Sequence, residues 1–218
     1  MPAPVLHVVT NDAVLLRADF QEAAASVLRA GGPGVALHIR GPSMEGRFLL
    51  EVGWDLLVGA RMVGARLVVN DRIDVAGCLG ADGVQLGQRS LPVTVARRLL
   101  GGMSVGVSVH HEEEAREARD ADWVLVGSLF ETASHPEGTP AGVELLTRVG
   151  QAAPGLPRVG IGGITPERVG EVRRRGAAGV AVLSGVWDAP SASEAVVRYL
   201  TAWDEASETG TEELRENG

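Results

Sequence analysis

The chain has 218 residues, 45% hydrophobic and 22% charged, with a formal net charge of −8. That is enough apolar matter for a full core, and the acidic balance argues against a nonspecific nucleic-acid binder, which needs basic surface to neutralise phosphates. All 20 basic residues are arginine, so a Schiff-base lysine or a P-loop lysine is excluded.

Aromatic residues make up only 4% of the chain, so the core must be built from Val, Leu, Ile and Ala. Short aliphatic runs of the kind that form buried parallel strands fall at residues 4–9, 34–39, 66–69, 83–86, 104–109, 123–127, 157–161 and 179–183. Helical patterns lie between and after them, near 16–30, 45–63, 72–80, 91–100, 111–120, 142–152, 166–175 and 191–202. Strict alternation of strand and helix implies a parallel sheet. Eight such pairs predict a single (β/α)8 TIM barrel, near the lower size limit of that fold. The segments GADGVQLG (80–87), DADWVLVG (120–127) and GAAGVAVLS (176–184) repeat one design, as expected of a barrel built from similar units.

The barrel is assigned to residues 1–203. The stretch 204–218 is acidic and polar and reads as a solvated tail or a frayed helix. Cys78 is the only cysteine, which excludes an intrachain disulfide framework. Its place in a predicted helix suggests a small core residue. The N-terminus lacks the layout of a signal peptide and no apolar run approaches a membrane span, so a cytoplasmic protein without membrane association is expected.

Function in such a barrel sits on the loops after the strands. After the seventh predicted strand comes Gly160-Ile161-Gly162-Gly163-Ile164-Thr165-Pro166, and after the eighth Ser184-Gly185. Consecutive glycines let backbone N–H groups approach an anion with no Cβ in the way. Thr165 and Pro166 form an N-cap and first-turn pair, and a helix N-terminus attracts phosphate. Gly162, Gly163, Ser184 and Gly185 are therefore the expected phosphate ligands.

At these residues the chain resembles the thiamine phosphate synthase and thiazole tautomerase (TenI) superfamily. The resemblance is carried by IGGITPERVGEVRRRGAAGVAVLSGVW, by VNDRIDVAGCLGADGVQLGQRSLP and by VSVHHEEEAREARDADWVLVGSLFET, and spans roughly residues 4–200. Synthases of this family join a pyrimidine pyrophosphate to a thiazole phosphate with Mg²⁺. Their QLREK segment is matched here by His38-Ile39-Arg40-Gly41-Pro42, which keeps the arginine and replaces the lysine by proline. Their metal-binding aspartate in NDR is matched by Asp71, but Ser90 stands where they carry a second one. His135 follows Thr132-Ala133-Ser134 where they carry a lysine. The tautomerases move a proton at carbon and need no cofactor. His38, Gln85 and the FET run resemble that branch, although Ser128 replaces its acid–base histidine, and a serine hydroxyl cannot do that work near neutral pH.

The resemblance thus implies a thiamine-biosynthesis barrel that binds a small phosphorylated thiazole, with a thiazole tautomerase-like isomerase as the first expectation. A Mg²⁺-dependent thiamine phosphate synthase is one alternative, and a catalytically silent phosphate-ligand-binding homologue the other. His38 and His135 are the candidate catalytic residues. Arg40, Gln85, Thr132, Ser134, Gly162, Gly163, Ser184 and Gly185 are the candidate substrate ligands, and Asp71 the candidate metal ligand. His110 after the fifth strand could reach the barrel mouth, His111 should open the next helix, and His7 reads as a packed histidine. Asp71 could equally cap a helix. A homo-oligomer stays open.

Overall fold

The eight strands are four to six residues long: β1 Leu6–Val9, β2 Val35–Ile39, β3 Arg66–Asn70, β4 Gly83–Leu86, β5 Ser104–Val109, β6 Trp123–Val126, β7 Arg158–Ile161 and β8 Gly179–Val182. The structure, a computed structural model, describes residues 3–132 and 139–216, with residues 208–216 as backbone alone. The strands pair in parallel, in chain order, into a closed barrel. Closure joins the two ends of the sequence, with Leu6 opposite both Val35 of β2 and Val180 of β8.

The helices are α1 Asp12–Leu15, α2 Phe20–Gly31, α3 Gly46–Val63, α4 Ile73–Leu79, α5 Val93–Leu100, α6 Glu112–Glu117, α7 Glu144–Ala152, α8 Pro166–Arg174, α9 Ser184–Trp187 and α10 Ala192–Glu216. In α3 the buried residues Leu49, Val52, Leu56, Leu57 and Ala60 recur at helical spacing and form one apolar stripe against the barrel. The helix stops at Gly64, whose left-handed φ of 74° suits glycine.

Three elements differ from the sequence expectation. The helix expected at 16–30 begins only at Phe20, and a separate short helix, α1, precedes it, capped by the Asn11 side chain, which accepts the Val14 N–H. Arg17, in the break, pairs with Asp19 and donates to the Trp187 carbonyl. Helix α10 runs on through residues 204–216. Cys78 is exposed instead of buried, since Val75, Ala76 and Leu79 already supply the inner face of α4.

The repeated GAD and DAD segments have a structural cause. Asp82 accepts the Leu67 N–H at 2.8 Å through its carboxylate and donates its own N–H to the Leu67 carbonyl at 2.9 Å. Asp122 does the same with Val105, at 2.7 and 2.8 Å. Each aspartate staples the start of one strand to the preceding strand. In the third repeat Ala178 keeps only the backbone half, donating to Arg158 O.

Removing a staple leaves a strand N–H without its partner. Asp82→Ala is expected to cost about 1–3 kcal/mol of unfolding free energy, and Asp82→Asn, which keeps an acceptor oxygen, distinctly less. Urea unfolding of the two variants beside the parent checks this.

Candidate functional site

The barrel interior is closed from below by a hydrogen-bonded layer. His7 and His38 are buried, with His7 Nδ1 2.8 Å from His38 Nε2 and His38 Nδ1 3.1 Å from Asn70 Oδ1. One proton is shared across each of these contacts, and the Pro4 carbonyl also accepts a hydrogen bond from His7. Beside this chain runs a second one. Trp123 Nε1–H donates to Gln85 Oε1 at 2.9 Å, and Gln85 Nε2 donates to Ser108 Oγ at 3.1 Å. The indole has room because its neighbours are glycines: a Cβ on Gly106 would lie 2.1 Å from Trp123 Cε2.

Burial drives both imidazoles toward the neutral form. It lowers His7 well below its ordinary value and takes His38 from 6.5 to about 4. Repulsion from His38 adds to the effect on His7.

Above this layer, at the C-terminal ends of the strands, opens a cavity of about 820 Å³. Asn70 and Ser108 form its floor. Arg40 stands two residues beyond His38, so it faces the same way one step higher and lines the cavity. Its backbone is locked by Thr10, whose hydroxyl accepts the Arg40 N–H at 2.8 Å and donates to Arg40 O at 3.1 Å.

Asp71 also lines the cavity, and it is the only carboxylate among the described lining residues. Its φ of 61° is left-handed, uncommon for a residue with a Cβ. Asp71 Oδ1 accepts the Gly87 N–H at 2.8 Å and the Ser90 hydroxyl. Oδ2 accepts no hydrogen bond from the described residues. The capping role open to Asp71 is not taken: the N-cap of α4 is Arg72, with no side-chain cap. No group of three or more His, Cys, Asp or Glu residues that could hold a metal occurs among the described residues.

Across the barrel, Gly162, Gly163, Ser184 and Gly185 line the cavity together. Gly162 and Gly163 have φ of 99° and 62°. They also lie too close to their neighbours for a side chain: a Cβ on Gly163 would meet Glu131 O at 2.2 Å. The loop after β6 is stitched to this turn, with Phe130 N–H donating to Gly162 O at 3.1 Å. Arg168 of α8 donates to Gly163 O at 2.6 Å and lies over the Phe130 ring. Thr165 is the N-cap of α8 and Pro166 its first residue, although the threonine side chain makes no cap bond. Thr165 instead hydrogen-bonds the Glu167 carboxylate and holds it below the usual range.

The expected site residues therefore divide. Arg40, Asp71, Thr132, Gly162, Gly163, Ser184 and Gly185 meet around one cavity. His38 and Gln85 lie beneath it, 0% and 1% exposed, and reach it only through Asn70 and Ser108. Ser134 and His135 fall outside the described residues. His110 does line the cavity, its Nδ1–H donating to Gly127 O at 2.6 Å, and His111 is the N-cap of α6. Asn70, Ser108, Arg72 and Arg89, all on the lining, are missed by the sequence reading. Period-two alternation from Val68 to Asn70 and from Gly106 to Ser108 was the available signal for the first two.

A family model described as thiamine monophosphate synthase matches residues 6–186. The chain belongs to that family. It is 40% identical over 200 residues to the thiamine-phosphate synthase of Roseiflexus castenholzii, covering 90% of this chain and 86% of that one. It is 42% identical over 173 residues to the thiamine-phosphate synthase of Moorella thermoacetica, covering 78% and 81%. The structure of a thiamine phosphate pyrophosphorylase from Pyrococcus furiosus superposes with a TM-score of 0.81 at 32% identity, over 93% of this chain and 96% of that chain. The two sequence relatives carry synthase names and the solved structure a pyrophosphorylase name, so the comparisons support the synthase alternative better than the tautomerase expectation. No helix among the described residues is long and apolar enough to cross a membrane.

The histidine pair makes stability depend on pH. Both rings are neutral in the folded chain, whereas the unfolded chain protonates them near 6.5. Stability is therefore present above 6.5 and falls as pH drops toward about 4. The slope is at most about 1.4 kcal/mol per pH unit for each ring. His38→Gln keeps a donor and an acceptor for His7 and Asn70, and is expected to flatten this loss between pH 7 and pH 5 in urea titrations.

Proposed function

We propose that the chain is a thiamine phosphate synthase, joining a pyrimidine pyrophosphate to a thiazole phosphate. One observation carries this reading: the cavity has two anion-attracting sides. Arg40 and Arg89 stand with Asp71 on the loops after β2, β4 and β3, beside an Arg72 whose guanidinium is paired with Asp74. The glycine turns stand on the loops after β7 and β8. In a closed ring of eight strands in chain order, β3 and β7 face each other. A tautomerase substrate carries one carboxylate beside its phosphate, which a single guanidinium fork would satisfy, whereas Arg40 and Arg89 together match the larger charge of a pyrophosphate.

In this reading the thiazole phosphate rests on the N–H groups of Gly162, Gly163, Ser184 and Gly185 at the start of α8 and α9. The pyrophosphate lies against Arg40 and Arg89, whose planar forks suit phosphate oxygens. Pyrophosphate leaves with the bonding electron pair, and the thiazole nitrogen supplies its own pair to the cationic pyrimidine carbon. Arg40 and Arg89 stabilise the charge that develops on the leaving group. Asn70 and Ser108, fixed from below, orient the pyrimidine on the floor.

The family implies Mg²⁺, and the residues present fit it in a reduced form. Magnesium is commonly held by one or two carboxylates, with substrate phosphates and water completing the shell. Asp71 Oδ2, which accepts no hydrogen bond from the described residues, is the carboxylate oxygen for that purpose, and the Ser90 hydroxyl orients Asp71 where a second carboxylate would otherwise stand. When bound, the ion would neutralise charge on the pyrophosphate. His38 acts in this scheme as a positioning group for Asn70 rather than as an acid or base, because it is buried and neutral. Cytoplasmic placement accords with a metabolic enzyme of this kind.

A fluorescence assay for thiamine phosphate, with purified protein, both substrates and Mg²⁺, tests the reading. Catalytic product formation is expected, abolished by EDTA. Asp71→Asn and Arg40→Ala should each lower kcat/KM for the pyrophosphate substrate by about 100-fold. No product beside an active control synthase would overturn it, and would return the tautomerase and the silent binder as readings. Gly163→Ala should weaken binding of inorganic phosphate by about tenfold or more in calorimetry, because the new methyl drives the turn away from Glu131 O.

A further inference from the structure

Tyr199 is the chain's one tyrosine. It stands on α10, beyond the residues 6–186 that the family model matches. Its side chain is buried, and its hydroxyl donates to the Ile164 carbonyl at 2.8 Å. Ile164 directly follows the Gly162-Gly163 turn. The same oxygen faces the other anion loop as well: a Cβ on Gly185 would lie 2.1 Å from it. Tyr199 does not line the cavity, whereas Ile164 and Gly185 do. One hydroxyl therefore touches both glycine loops from outside the ligand space.

The rest of the neighbourhood gives this contact its leverage. Helix α8 is tied to α10 lower down, where Arg173 donates to Trp203 O at 2.7 Å and lies 4.5 Å over the Trp203 ring. Helix α9 is tied to the barrel through Trp187 Nε1, which donates to Val9 O at 2.8 Å. The Gly162-Gly163 turn is held on its far side by Phe130 N–H and Arg168, and toward the loop after β8 it is Tyr199 that touches both turns. Burial pushes its hydroxyl up to about 12, so it stays a donor throughout the working range of pH. Without it the Ile164 carbonyl would lose its partner, and the turn would shift toward water within what the Phe130 and Arg168 contacts allow.

We propose that Tyr199 is a positioning residue that sets the spacing of the loops after β7 and β8, and through it the affinity of the site for a phosphate monoester. The proposal rests on the reading that these loops hold the thiazole phosphate.

The test uses Tyr199→Phe, Gly185→Ala and the double variant of the full chain. In calorimetry, Tyr199→Phe should bind inorganic phosphate and thiazole phosphate about 5- to 10-fold more weakly than the parent. In steady-state assays its KM for thiazole phosphate should rise by the same factor, with kcat and the KM for pyrimidine pyrophosphate within about twofold. Gly185→Ala should bind phosphate worse still, because its methyl meets the tyrosine oxygen. Adding Tyr199→Phe should recover part of that loss, which a merely destabilising substitution would not do. Unchanged phosphate affinity in Tyr199→Phe, an equal rise in both KM values, or a double variant worse than either single one would overturn the proposal. Parent protein that binds neither anion would overturn the phosphate reading and this proposal together; parent protein that binds, with Tyr199→Phe equal to it, overturns this proposal alone.

Discussion

A closed ring of parallel strands encloses a space that side chains must fill, and every feature of the site follows from how this chain fills it. Val9, Leu125, Val159 and Ala181 supply an apolar patch inside the ring. His7, His38, Asn70, Gln85, Ser108 and Trp123 bring polar groups into the same space. Polar groups in such a place are costly unless paired. Among the described residues no buried side-chain nitrogen or oxygen lacks a partner. A fully paired network holds its members in one arrangement. The floor of the cavity is therefore rigid for the same reason that the barrel is stable.

The rigid floor leaves the loops free to carry chemistry by charge. In a chain without lysine, the strongest anion-attracting groups on the cavity wall are guanidinium groups and backbone N–H groups. Here the two are separated across the barrel. Guanidinium groups reach out from side chains and need space, so they sit on the loops after β2 to β4. Backbone N–H groups need close approach, so their side of the cavity is built from glycines packed against Ser128, Glu131 and Tyr199. Asp71, held in a left-handed conformation between Gly87 and Ser90, is where strain is accepted for a carboxylate facing the cavity.

Most of the fold was legible in the sequence, because buried parallel strands read as runs of branched aliphatics and the helices between them carry period-3.6 stripes. What escaped was set by distant partners. The break before Phe20 involves Arg17 reaching Trp187, 170 positions away. In the site, the glycine turns and Arg40 were legible because loop position and residue type suffice to place them. His38 and Gln85 were not, since strand alternation shows which side chains point inward but not how deep they lie. Two residues of rise separate a buried histidine from an arginine on the cavity wall. Tyr199 could not be read at all: its role depends on a helix, a turn and a glycine brought together only by the closed barrel.

That closure also orders events in time. The pairing of β8 with β1 joins the last strand to the first, and the hydroxyl behind the anion loops arrives on the helix after that. A chain still emerging from the ribosome can form neighbouring strands and helices by local contacts, but closing the ring waits on contacts between its two ends. The half of the cavity lined by the glycine turns is accordingly the last part of the molecule to come into being. An unfinished copy has no complete pocket with which to sequester a metabolite.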